Sequence, residues 1–324
     1  MGGWKYPVVA VKAGMRSGRP VCRIIILRAP RLVPPAQTTP NHEGIIVLTA
    51  EQRAIQRDII KHLCVAESFD AGREIERRVS FMADYLIQAG ARALVLGISG
   101  GVDSLVGGCL AQRAAEQARR RGHEASFIAM RLPYGVQRDE PDAQASLEVI
   151  RPDRLVTVDI KPASDAMLQA VMAGQVAYRD ASHQDFQLGN IKARERMIAQ
   201  YAVAGAYGGL VVGTDHAAEA LMGFFTKFGD GAADLVPLTG LNKRRVRGLA
   251  KALGAPDALV MKVPTADLES LVPLKPDEDA FGVSYEQIDD FLEGKDIAQE
   301  ACEVILRTYR QSAHKRALPA APAG

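Results

Sequence analysis

The sequence predicts an α/β fold, a doubly wound, mostly parallel sheet with helices on both faces, and three observations carry that prediction. Apolar runs of strand length alternate with segments of helical periodicity along the chain, the pattern of successive βαβ units. One such run, Leu94-Val95-Leu96-Gly97-Ile98, ends at Ser99-Gly100-Gly101 and passes directly into a helical segment, which reads as strand, tight loop, helix. Another, Leu210 to Gly213, gives way to Thr214-Asp215 and a further helix. Sheets of this kind bind ligands at the carboxyl ends of their strands, so both turns should face one crevice.

Taken in order, residues 1 to 48 differ from everything after them. Lys5, Lys12, Arg16, Arg19, Arg23, Arg28 and Arg31 all precede the first acidic residue, Glu43. Prolines and glycines break the segment, and Val21 to Leu27 could form one short strand. It is too broken for an amphipathic transit helix and has no apolar core followed by a cleavage site. A basic, disordered extension is expected, or a start placed too far upstream. From Thr49 to residue 316 the chain reads as one folded domain, and residues 317 to 324 as a flexible tail of Ala, Leu, Pro and Gly.

Within the domain, Thr49 and Gln52 have capping-box spacing and open a helix to about Ala66. A second helix, Ala71 to Gln88, carries Ile75, Val79, Met82, Leu86 and Ile87 on one face. Strand 93–98, helix 105–121, strand 125–130, helix 141–149, strand 155–159 and helix 163–173 follow. A long helix from about Ile191 to Ala206 precedes strand 210–213. Residues 264 to 276 read as an irregular loop of active-site size. Helices near 285–292 and 297–312 close the domain.

A chain of 324 residues, 48% hydrophobic and 24% charged, can bury a full core. Its net charge of +2 is too small to argue for nucleic acid. No apolar run approaches a membrane span, and cytoplasmic localisation is expected. The four cysteines, Cys22, Cys64, Cys109 and Cys302, have no metal-ligand or CxxC spacing. The last three fall in expected helices and read as core packing.

The chemistry concentrates in the two turns. In Gly97-Ile98-Ser99-Gly100-Gly101-Val102-Asp103-Ser104, paired glycines let backbone N–H groups approach a phosphate, aided by the positive end of the next helix. Ser99 and Ser104 add hydroxyls, and Asp103 adds a carboxylate suited to Mg²⁺. A plain reading, a glycine turn capping a core helix, remains open on the loop alone. The spacing is neither GxxxxGK[ST] nor GxGxxG. SGGVDS instead resembles the pyrophosphate loop of the N-type ATP pyrophosphatases, which cleave ATP between its α and β phosphates. In Gly213-Thr214-Asp215-His216-Ala217-Ala218-Glu219, Thr214 could be an N-cap, but capping does not require Glu219. His216 lacks a Cys or His partner at ligand spacing and reads as structural. Gly223 to Asp234 mixes aromatics, glycines and charges, as a flap over a planar ring would.

Eight segments together, SGGVDS, RLPYGVQ, KARERM, GTDHAAEA, FFTKFGDG, LNKR, PTADLE and HKR, recur in the order found in the NAD synthetases. The chain from about 49 to 316 resembles the ammonia-dependent bacterial type. That resemblance implies a homodimeric ligase that converts deamido-NAD (nicotinic acid adenine dinucleotide) to NAD with ATP, Mg²⁺ and ammonia, the last step of NAD biosynthesis. It implies that Gly97 to Ser104, Thr214, Lys243 and Thr265 contact ATP, with Asp103 and Lys243 catalytic and Asp103 and Glu219 as Mg²⁺ ligands. Arg194, Lys227, Asp234, His314 and Lys315 would hold deamido-NAD. No nucleic acid or membrane partner is implied. The small-residue tail and the basic extension depart from the family pattern.

The implied chemistry suits these residue types. A carboxylate repels nucleophiles and lacks a good leaving group, so its attack on the α-phosphate first makes a mixed anhydride with AMP and releases pyrophosphate. Ammonia then forms the amide and expels AMP. Protein help would be positioning and charge neutralisation. Use of glutamine would need a separate amidohydrolase fold of roughly 150 residues or more, so free ammonia is the expected nitrogen source.

Overall fold

The computed structural model describes residues 11–16, 19–24, 48–136, 139–265, 271 and 276–322. It divides into two compact units, residues 1–44 and 45–324. In the first, β1 (Val11–Arg16) and β2 (Arg19–Ile24) form an antiparallel hairpin with Arg16 opposite Arg19. The sequence suggested one strand at 21–27; the observed β2 begins earlier and has a partner.

The second unit opens with α1 (Ala50–His62) and α2 (Ala71–Gln88). The capping box of α1 forms as expected, with Gln52 N donating to Thr49 Oγ1 at 3.2 Å and Thr49 N donating to the Gln52 amide oxygen at 2.9 Å. Helix α1 ends four residues before the expected limit. Cys64 lies beyond it, exposed and with a positive φ of 57°, and is not core packing. Cys109 and Cys302 are buried, and burial pushes the Cys109 thiol up to about 11.

The α/β part follows as β3 (Ala93–Gly97), α3 (Val102–Arg120), β4 (Ser126–Arg131), α4 (Glu140–Ile150), β5 (Arg154–Thr157), α5 (Lys161–Ala173), α6 (Ala181–Tyr207) and β6 (Gly209–Val211). Helix α6 starts ten residues before the position expected. Asp180 caps it there, accepting from His183 N at 2.7 Å. The strands form a parallel sheet in the order β5-β4-β3-β6. The connections after β3 run outward in one direction through β4 and β5, then return to place β6 on the other side of β3. The switch point therefore lies between β3 and β6, whose carboxyl ends carry the two chemistry-bearing turns.

Period-two alternation decides what each face of the sheet meets. Leu94 and Leu96 of β3 are buried in a cluster with Val79, Met82 and Leu86 of α2, Leu105 and Leu110 of α3 and Val246 and Leu249 from further along the chain. Ala93 and Val95 point the other way, into a cluster with Ile128, Met130 and Ala204 of α6. Burial on both faces explains why β3 and β4 read as continuous apolar runs.

The remaining elements are α7 (Ala217–Met222), α8 (Lys243–Ala252), α9 (Asp257–Val260), α10 (Asp277–Phe281), α11 (Tyr285–Leu292), α12 (Gln299–Gln311) and α13 (Ala313–Arg316). A third apolar cluster joins α1, α7, α11 and α12 through Ile59, Leu221, Ile288, Phe291 and Ile305. Asp296 ties its edge, accepting from Leu48 N at 3.1 Å and pairing with Arg53 at 2.6 Å. No helix among the described residues is long and apolar enough to cross a membrane.

Candidate active site

The two turns flank a cavity of about 520 Å³ at the carboxyl ends of β3 and β6, a size suited to a nucleotide-scale ligand. Residues 97–104 form one wall. Gly100 takes φ +85°, and a Cβ there would stand 2.7 Å from the backbone nitrogen of Ala143 in α4, so neither strain nor space admits a side chain. Gly101 is the N-cap of α3 and supplies no side-chain cap, which leaves the first N–H groups of a 19-residue helix open to an anion. Ser104 Oγ instead holds the loop itself, donating to Gly101 O at 2.9 Å and accepting from Ser99 N at 3.2 Å.

The charged centre stands beside this loop. Asp103 in the first turn of α3 meets Lys243, the first residue of α8, with Nζ 2.8 Å from Oδ2. Asp289 fixes the start of α8 by accepting from Lys243 N at 3.0 Å and Arg244 N at 2.7 Å. The Lys243 side chain is buried and lies 5.0 Å from the Tyr285 ring centroid. Burial works to raise the Asp103 pKa, but Lys243 and His216 together hold the carboxyl well below the usual range.

His216, not Thr214, is the N-cap of α7, and it forms a capping box with Glu219. Its Nδ1 accepts from Glu219 N at 3.5 Å, and Glu219 Oε2 accepts from His216 N at 3.3 Å. With Nδ1 so used, the proton is assigned to Nε2, which faces Asp103 Oδ1 at 3.4 Å and Glu219 Oε2 at 3.6 Å. Glu219 is therefore held by the two bonds of the capping box. Burial, reinforced by Asp103, pushes its pKa up to about 8. Asp215 precedes α7 and does not share a helical face with Glu219. Burial, then Asp230 and Asp103, raise it to about 7.

Asp103, His216 and Glu219 bring donor atoms within 4.8 Å of one another. The group fits a magnesium ion. Asp103 Oδ1 is buried with no hydrogen-bond partner, and two carboxylates make a hard oxygen set of the kind Mg²⁺ takes. His216 Nε2 is likewise buried without a hydrogen-bond partner, and with the proton assigned there the imidazole is a neighbour of the site rather than a ligand.

Of the other expected residues, Thr214 and Thr265 line the cavity. Thr265 sits at a bridge to Pro276; residues 266–269 of PTADLE and Gln137 of RLPYGVQ fall outside the described residues. Lys315 also lines the cavity and donates to Gly223 O and Phe225 O at 2.9 Å each. Lys227 Nζ donates to His314 O at 2.5 Å, and Arg194 Nη2 donates to Lys227 O at 3.2 Å. These four form one linked rim. Asp234 instead accepts from Val211 N at 2.7 Å, beside the end of β6. The expected flap is mixed in character. Phe224 packs edge-on against Phe281 at 4.7 Å in the core, whereas Phe228 is exposed.

Sequence reasoning gave no role to Arg131, Gln200 or Lys262, all of which line the cavity. Arg131 donates to Ile98 O and pairs with Glu140 at 2.6 Å. Gln200 accepts from Gly97 N at 2.8 Å. Arg131 lay within a quoted segment, and Arg196 with Gln200 has the i,i+4 spacing of one helix face; Lys262 carried no local signal.

Comparison with known proteins agrees with this geometry. The family model described as NAD synthase matches residues 74–319. The NH(3)-dependent NAD(+) synthetase of Streptomyces coelicolor is 69% identical over 83% of this chain and 98% of its own length. That of Burkholderia pseudomallei is 62% identical over 83% and 95%. Among solved structures, the NAD+ synthetase from Burkholderia pseudomallei superposes with a TM-score of 0.73 at 60% identity, covering 83% of this chain and 98% of that one. NMN synthetase from Francisella tularensis gives 0.69 at 35% identity, covering 79% and 99%. A parallel sheet, a glycine loop at its switch point and a match over most of the chain lead to one assignment: this chain belongs to the NAD synthase family.

Proposed function

We propose that the chain converts deamido-NAD to NAD with ATP and ammonia, through an adenylated carboxylate, at the Asp103–Lys243–Glu219 centre. The observation that carries the reading is the buried Lys243–Asp103 pair set against the uncapped N-terminus of α3. Backbone N–H groups at the start of α3, residues 102–104, receive the polyphosphate of ATP, and Thr214 and Thr265 border the nucleotide. Lys243, fixed by Asp289, is placed to offset charge that accumulates on departing pyrophosphate. Magnesium held by Asp103 and Glu219 would supply further charge neutralisation on the phosphates when bound. His216 holds Glu219 through the capping box, and Lys243 holds Asp103.

The acceptor follows from the rim. Lys315 reaches the cavity, and His314, Lys227 and Arg194 lead away from it through successive contacts, so a long dinucleotide can place its nicotinate carboxylate inside and its remainder along the rim. Asp234 would contact it beyond β6. Enclosure matters because the mixed anhydride must meet ammonia before water.

The protein is a homodimer in this reading. Phe186 and Ile198 of α6 and Met167 and Met172 of α5 are about half exposed, and a second copy would cover them. The setting is the cytoplasm, where ATP and Mg²⁺ are abundant. The 35% identity to the NMN synthetase from Francisella tularensis supports a second reading, with nicotinic acid mononucleotide as acceptor. Pyrophosphate release with ATP, Mg²⁺ and ammonium separates them. Release dependent on deamido-NAD, with the mononucleotide at least tenfold poorer in kcat/KM, is expected; preference for the mononucleotide, or release without an acceptor, would refute the first reading.

A further inference from the structure

Lys262 stands outside every role so far assigned. It belongs to the extended segment after α9 that leads to Thr265, and its side chain is about one-fifth exposed. Its ammonium bridges two elements. Nζ lies 2.7 Å from Asp142 Oδ2 in the first turn of α4 and 3.3 Å from Gly100 O in the glycine loop. The same first turn of α4 abuts Gly100, whose Cβ position would fall 3.0–3.1 Å from Asp142 atoms. Lys262 also lines the cavity.

These contacts are unequal. The Asp142 side chain is 44% exposed, and an ion pair with so open a partner contributes little. The opposite side of the ammonium faces the loop whose N–H groups await phosphate. A polyphosphate there carries more negative charge than one half-solvated carboxylate and competes for the same lysine.

We propose that Lys262 is a second lysine of the polyphosphate site, parked on Asp142 in the nucleotide-free protein and transferred to the β and γ phosphates when ATP binds. This rests on the ATP-dependent reading above. Lys243 then serves from the α8 side and Lys262 from the α4 side, on opposite flanks of the loop. Because Lys262 is three residues from Thr265, the transfer also carries the 262–265 segment toward the nucleotide. AMP, which lacks the β and γ phosphates, does not recruit it.

The two partners of the parked pair should therefore behave oppositely, which separates this role from a structural brace. ATP with Mg²⁺, inorganic pyrophosphate and AMP are titrated calorimetrically into the full chain and into Lys262→Met, Lys262→Arg and Asp142→Asn. Lys262→Met should weaken ATP and pyrophosphate by about tenfold or more, the scale of one charge-assisted contact, while AMP is unchanged. Lys262→Arg should restore most of the loss. Asp142→Asn, which frees the lysine, should bind ATP as tightly as the parent or more so. Equal weakening by Lys262→Met and Asp142→Asn, or no change of ATP affinity in Lys262→Met, would overturn the assignment. Should Lys262→Met fail to fold, Asp142→Asn alone decides: weakened ATP binding there refutes the parked lysine. A parent chain that does not bind ATP would instead overturn the functional reading itself, and the Lys262 role with it.

Discussion

Each residue of the centre is held by contacts of a kind its neighbours dictate. Glu219 is fixed by its cap to His216, and Asp103 by Lys243. Glu219→Gln keeps the cap acceptor but cannot ionise to hold the proposed magnesium, so kcat should fall by about 10²–10³ while calorimetric binding of deamido-NAD stays within about twofold. Arg194→Ala should do the reverse, raising the deamido-NAD Kd about tenfold and leaving ATP affinity near that of the parent. The opposite pattern in the two titrations would contradict both assignments. Loop glycines, Asp103 and Glu219 were legible because backbone approach and metal chemistry demand particular residue types at short spacing. The cap was not. Thr214 is the commoner capping residue, but the chain is not yet helical at Asp215 and begins α7 only after His216, whose ring Nδ1 accepts from Glu219 N. Gln200 and Lys262 reach the loop from about 100 and 160 positions away along the chain, a separation that local pattern does not record.

At the scale of elements, sequence and structure agree where periodicity is strong and part where tertiary contacts decide. Helices α2 and α11 end where the apolar spacing places them. Helix α6 does not start where expected, because its first ten residues lack a clean apolar stripe and bury only Asp185 and Gly189, so Asp180 rather than periodicity marks the start. Strand β4 depends on a similar polar tie. Asp153 accepts from Phe127 N at 2.8 Å, pairs with Arg119 of α3 at 2.8 Å and receives Gln112 at 3.3 Å. Burial alone would raise its pKa, but Arg119, the Phe127 N–H and Gln112 outweigh it and leave the carboxyl below its ordinary value of 3.8. The native state thus binds fewer protons than the unfolded chain near and below that value. The stabilisation is full above pH 3.8 and is lost as pH falls through the depressed native pKa. Asp153→Asn should cost about 1–2 kcal/mol near neutrality, given partial exposure. That difference in denaturant unfolding should shrink below about pH 3.8. A difference independent of pH would show that the charge is not what secures β4.

For the whole molecule, the domain from residue 45 carries its own three apolar clusters and the full set of site residues. Leu48 and Arg53 both engage Asp296, so the cut that respects the domain falls at or before Gly44. A chain starting at Ile45 should unfold cooperatively with the parent's midpoint within about 3 °C and retain its kcat/KM within about twofold; loss of either would show that the first unit takes part in folding or catalysis. The composition and the alternation of elements were enough to read this domain as a covered parallel sheet. The strand order was not, since it rests on the return of β6 to the far side of β3 after the long helix α6, a placement that chain order leaves open.

The central claim is that the nicotinate carboxylate of deamido-NAD attacks the α-phosphate of ATP in the cavity between β3 and β6. It is tested most directly by tracing oxygen. The purified chain is incubated with ATP, Mg²⁺, ammonium and deamido-NAD labelled with ¹⁸O in the carboxylate, and the nucleotides are analysed by mass spectrometry. Carboxylate attack leaves one labelled oxygen on AMP for each NAD formed, together with unlabelled pyrophosphate. Label in inorganic phosphate with ADP as the other product, or NAD accompanied by unlabelled AMP, would contradict the account.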